Sequence, residues 1–153
     1  IRVDCVPPGL TFPDVLGWDR DGVRVGSEDT YFFGQLATTH GSVYTPKASV
    51  VHRVPASRLG PEYFRVCNIG QGRASIRLAL INKKRSKPWL VLVIITQSMK
   101  WFRYLWPVKF VSAKKWVRIK KRQYALGKIL ESSSLLIHPE SAAELVQWST
   151  ESK

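Results

Sequence analysis

The chain has 153 residues, of which 44% are hydrophobic and 23% charged, the composition of a folded domain and not of a solvated basic tail. Its net charge of +13 is an excess most often matched to phosphate-bearing partners. Two cysteines, Cys5 and Cys67, are too few and too far apart for a disulfide framework or a zinc site and fit a reducing interior, while the longest apolar run, Trp89 to Thr96, falls well short of a membrane span.

Residues 1–41 form an acidic lead-in punctuated by proline and glycine, read as part of the same domain as residues 42–153. The start at Ile1, with no signal-like segment after it, leads to the expectation that a leader has been removed. From Ser42 onward, runs rich in Val, Ile and aromatics follow one another. They are SVYTPKASVVHRV, EYFRVCNIG, RASIRLALI, PWLVLVIIT, MKWFRYLW, VKFVSA and KWVRIKKRQYA. Their alternation and spacing predict antiparallel strands, with NIGQGR and NKKRSKP as hairpin loops. Leu135 to Ile137 reads as a short last strand. Pro139 then opens a helix through Trp148, with glutamates near its start. A strand block closed by one helix is an α+β fold.

Charge is distributed unevenly along this order. Tyr63 to Leu130 holds seventeen lysines and arginines and no aspartate or glutamate, whereas six of the eleven acidic residues lie in the first twenty-nine positions. A one-signed field of that extent repels itself unless an anion sits against it. In strands, residues two apart share a face. Trp116, Arg118, Lys120, Arg122 and Tyr124 would then point one way. Arg73 and Arg77 would oppose Ile76, Leu78 and Leu80; Arg65 would oppose Phe64 and Val66; and Lys47 and Arg53 would share a face. The expectation is a cationic outer sheet face anchoring phosphates through Lys47, Arg53, Arg65, Arg73, Arg77, Arg118, Lys120 and Arg122. The loop cations Lys83, Lys84, Arg85 and Lys87 would steer or grip the nucleic acid, and Trp116 and Tyr124 are the candidate stacking platforms.

No catalytic constellation stands out. His40, His52 and His138 are far apart, and the basic region has no carboxylates for acid–base pairs or divalent metals. The expectation is therefore no enzyme, no catalytic residue, no metal and no cofactor. Gly70 and Gly72 make a G-x-G without the third glycine of a phosphate loop, and a turn accounts for them. No amphipathic basic helix is visible, so a membrane is not expected as a partner.

Two segments carry a resemblance. SVYTPKASVVHRVP, Ser42 to Pro55, resembles the opening strand of the Whirly family of single-stranded nucleic-acid binders. KWVRIKKRQYALGKILESSSLLIHPESAAELV, Lys115 to Val146, resembles that family's penultimate strand, hairpin, last strand and closing helix, and MKWFRYLWPVKFVSA resembles the long strand before it. The likeness is one of spacing from Ser42 onward. Thr45-Pro46-Lys47 stands where plant members have Lys-Gly-Lys, so only Lys47 keeps its place. The basic character resembles the kinetoplastid mitochondrial guide-RNA-binding branch. That resemblance implies two four-stranded antiparallel sheets packed across each other with a C-terminal helix, a heterotetramer with a related subunit, and location in the mitochondrial matrix. It also implies a guide RNA held by its phosphates with bases outward, so that annealing to pre-edited messenger RNA in RNA editing is promoted. The alternative from composition is a structural protein of an organellar ribosome or ribonucleoprotein particle.

Overall fold

The computed structural model describes residues 6–17, 25–39, 41, 46–47, 49–83, 86–105 and 112–151. Among the described residues there are five α-helices and no strand. They are α1 (Glu28–Thr39), α2 (Pro61–Lys83), α3 (Lys87–Leu105), α4 (Ser112–Ile137) and α5 (Pro139–Glu151). Short 3-10 turns cover Asp14–Leu16 and Ala56–Leu59. The expected α+β architecture of two crossed four-stranded sheets is therefore overturned. The stretches read as EYFRVCNIG, the NIGQGR hairpin and RASIRLALI are one continuous helix, α2. PWLVLVIIT and most of MKWFRYLW form α3, KWVRIKKRQYA lies in α4, and Leu135 to Ile137 is the last turn of α4. Lys47 sits in a turn and residues 49–55 are irregular and exposed, while much of the expected first strand and of VKFVSA falls outside the described residues.

Proline placement explains why helices prevail. Pro61 and Pro139 are the first residues of α2 and α5, and Pro88 is the second of α3. There the missing N–H costs nothing and the fixed φ suits a helix. No proline interrupts α2, α4 or the rest of α3. Short alternating windows mislead here because Lys and Arg carry long aliphatic stems that lie against apolar surface at either period. Over the full length of α2 and α4, Leu, Ala, Lys, Arg and Gln are all good helix formers.

The order of contacts fixes the topology. Asn68 Nδ2 donates to Gln123 Oε1 at 3.1 Å, and Arg77 Nε donates to Glu131 Oε1 at 2.6 Å. Positions on α2 and α4 rise together, so these two helices run parallel. Leu90, near the start of α3, packs with Leu80 and Ile81 at the end of α2 and Leu135 at the end of α4. α3 therefore runs back between them in sequence, antiparallel to α4. In space α4 is the central helix, packed along α2 on one side and α3 on the other. α5 covers α2 and α4.

The core gathers at one end of this layer. Leu16, Tyr31 of α1, Ile76, Leu80, Ile81, Leu90, Leu135 and Leu145 of α5 form one buried cluster. Each such side chain stabilises by roughly 1.5–3 kcal/mol when fully buried. The lead-in contributes Leu16 and Tyr31 to this cluster, so it packs on the same core as the helices that follow.

The seam between α2 and α4 is of another kind. A Cβ built on Gly72 would collide with the Tyr124 carbonyl oxygen and lie 3.0 Å from Gly127 Cα; one built on Gly127 would collide with the Ile69 carbonyl and lie 3.1 Å from Arg73 N. The two backbones touch at this crossing, and only hydrogen fits between them. One turn further, Glu131 is 1% exposed and each of its oxygens accepts from one guanidinium, Arg73 Nε at 2.6 Å and Arg77 Nε at 2.6 Å. Arg77 Nη1 also donates to the Val15 carbonyl at 2.6 Å, tying the lead-in to α2.

Candidate nucleic-acid interface

At the end of the layer opposite the core, the first half of α4 reads KKWVRIKKR from Lys114 to Arg122. Lys115, Lys120 and Lys121 are exposed, and Arg118 and Arg122 are half-buried. A helix turns 100° per residue, so Arg118, Lys120 and Arg122 do not form the single row that a strand would make. Lys115, Arg118 and Arg122 share one side at spacings of three and four, while Lys120 and Lys121 lie on others. The first turn of α4 carries no acid. Lysines there oppose the positive end of the helix dipole, a local cost of about 0.3–1 kcal/mol per charge in the absence of an anion. Neither α3 nor α4 before Glu131 contains a carboxylate.

An aromatic cleft adjoins these cations. Trp116 is 53% exposed and meets Phe64 of α2 edge to face, with ring centroids 6.5 Å apart. Leu59, Gly60, Pro61, Phe64 and Trp116 line an open cavity of about 360 Å³. The 3-10 turn at Ala56–Leu59 packs on α2 and supplies one wall. Lys120 is one turn beyond Trp116 on α4, and the Arg58 guanidinium lies 5.7 Å from the Tyr63 ring centre on the α2 side. The cleft is apolar inside, with Arg58, Glu62 and Lys120 adjacent to its lining residues along the chain or the helix.

The other expected site residues are dispersed. Lys47 and Arg53 are exposed in the irregular segment before α2. Arg65 is exposed on α2 with Glu62 at 3.6 Å, a surface pair of little energetic weight. Arg73 and Arg77 lie inside the fold on Glu131. Lys83 ends α2 and Lys87 begins α3, where it is exposed. Lys84 and Arg85 fall outside the described residues. Tyr124 is half-buried at the α2–α4 crossing, with Lys128 Nζ 4.8 Å from its ring centre.

Strand-based reading missed three groups. Lys115 and Lys121 were assigned to no face, yet both are exposed on the first half of α4. Phe64 was assigned to the core face and instead forms a wall of the cleft. Glu131 went unremarked, although it is the first acid after the long basic run and for that reason the available internal partner for arginines. Among the described residues, no group of three or more His, Cys, Asp or Glu could hold a metal ion. No protein-family model, curated protein or solved structure matches this chain.

Proposed function

We propose that this chain binds single-stranded RNA through the first half of α4. Phosphates lie on Lys115, Lys120 and Lys121, with Arg118 and Arg122 beside them, and an unpaired base stacks on Trp116 in the cleft against Phe64. The observation that carries the reading is the juxtaposition of exposed cations, free of any neighbouring carboxylate on α3 or α4, with an exposed tryptophan in an apolar cleft. Cations alone suit any polyanion. An aromatic platform at their edge favours a single strand, whose bases are free to stack. The phosphate role first expected of Arg73 and Arg77 passes to the exposed lysines, because Glu131 already engages both guanidiniums. A guide RNA and an editing role rested on the Whirly resemblance, and the helical fold leaves them without support.

The test is binding of an unstructured oligoribonucleotide as a function of salt. Each phosphate neutralised contributes about −0.7 to the log–log slope, so Lys120→Gln with Lys121→Gln should flatten it by about 1.4. Trp116→Ala should leave the slope unchanged and weaken binding by about 1–3 kcal/mol. Absence of binding at low salt, or a slope indifferent to the two lysines, would refute the assignment.

A further inference from the structure

α3 is apolar on two opposite sides. Trp89, Leu90 and Val93 pack on the core, and the helix lies along α4. On its outer side, Val91, Leu92, Ile95, Met99 and Phe102 are between 46% and 68% exposed. At 100° per residue these five fall within an arc of about 100°, running about 16 Å along the axis. No acid occurs anywhere in α3. Its cations Lys87, at the start, and Arg103, toward the end, are exposed and flank the arc without entering it, while Lys100, also exposed, lies further round the helix on the side of Trp89 and Val93.

A contiguous apolar patch of this kind marks a surface that something covers. Charge selects the occupant. A second copy would bring a chain of net charge +13 against another of +13, and the cations flanking each arc would face one another. An anionic bilayer offers the opposite. Its acyl boundary takes the apolar arc and its headgroups take the flanking Lys87 and Arg103, whose aliphatic stems reach past the apolar side chains. No described helix is long and apolar enough to cross a membrane, so α3 would lie in the surface and not through it. We propose that the outer face of α3 docks this protein onto an anionic lipid surface. This inference is independent of the RNA reading, which uses α4 and Trp116. The expectation that a membrane is no partner rested on seeing no amphipathic basic helix, with the segment of α3 read as a strand.

The experiment is co-sedimentation of the nuclease-treated full chain with phosphatidylcholine vesicles, with and without about a third phosphatidylserine. Binding is expected only to the anionic vesicles. Leu92→Ser with Ile95→Ser and Met99→Ser keeps every charge and should lower the partition coefficient about tenfold or more. Circular dichroism reports whether that variant retains its helices. Met99→Lys, at the most exposed position of the arc, is the second variant and should reduce binding severalfold despite its added positive charge. Vesicle binding equal to wild type in both variants would overturn the proposal and leave a purely electrostatic attraction. So would a concentration-dependent dimer that the triple variant abolishes, without vesicle binding by the wild type; that result would assign the arc to a second copy.

Discussion

Replacing Gly127 with alanine sets two physical effects of opposite sign against each other. In an open helix interior, alanine is favoured over glycine by about 1 kcal/mol, because glycine loses more backbone entropy on folding. At Gly127 the new methyl group would collide with the Ile69 carbonyl, with Arg73 N only 3.1 Å away. The obstacle is backbone, which has no rotamer to change, so α2 and α4 must separate. Separation also stretches the Asn68–Gln123 hydrogen bond and both contacts to Glu131. Overpacking costs about 1–3 kcal/mol, and a backbone obstacle belongs at the upper end. With about 1 kcal/mol returned by helix propensity, the net loss is about 2 kcal/mol. For a chain of this size that lowers Tm by about 4–8 °C. Gly34 supplies the control: it lies within α1, is exposed, and a Cβ there would meet nothing within 4 Å. Gly34→Ala should stabilise by about 0.4–1 kcal/mol. Urea unfolding followed by circular dichroism reads both variants. Shifts of the same sign at the two glycines would refute the close crossing of α2 and α4.

Further outcomes follow from the same seam and from the exposed faces. Glu131→Gln removes a buried charge that Arg73 and Arg77 share and should cost about 3–5 kcal/mol in urea unfolding, because both largely covered guanidiniums lose that counter-charge. Ser132 is fully buried and its hydroxyl has no hydrogen-bond partner, so Ser132→Ala should stabilise by about 1 kcal/mol, read as a raised urea midpoint with unchanged slope. On the RNA side, Arg65→Gln should change affinity far less than Lys120→Gln, since Arg65 lies on α2 with Glu62 in reach, and equal losses would move the interface toward α2.

Particular residues show how much could be read before folding. Pro139 opens α5 where the sequence placed a helix. Pro61 and Pro88 stand at the same place in α2 and α3, but the runs after them were read as strands from their short alternation, which a helix of mixed cations and aliphatics also produces. NIGQGR looks like a hairpin because glycine and asparagine favour turns. Inside α2 the same residues serve close approach: Gly72 admits the backbone of α4, and Asn68 bonds back to the Phe64 carbonyl at 2.7 Å and across to Gln123. Trp116 could be singled out from its basic neighbours, whereas Phe64, its partner in the cleft, is distant in sequence. The outer face of α3 was invisible as long as PWLVLVIIT was taken for a strand, because period two sets Leu92 and Phe102 on the face opposite Val91, Ile95 and Met99, whereas period 3.6 gathers all five.

The sequence by itself determined the quantities that add along a chain. These are the positive charge, the acid-free run from Tyr63 to Leu130, and the prolines that start helices. Tertiary structure alone decided which of those charges face water. Arg73 and Arg77 meet Glu131 across 58 and 54 residues, and nothing local distinguishes them from Arg118 or Lys120. Burial of an arginine depends on whether a carboxylate waits on the facing helix. That in turn depends on two glycines letting the backbones touch, a condition set by packing and not by any single segment.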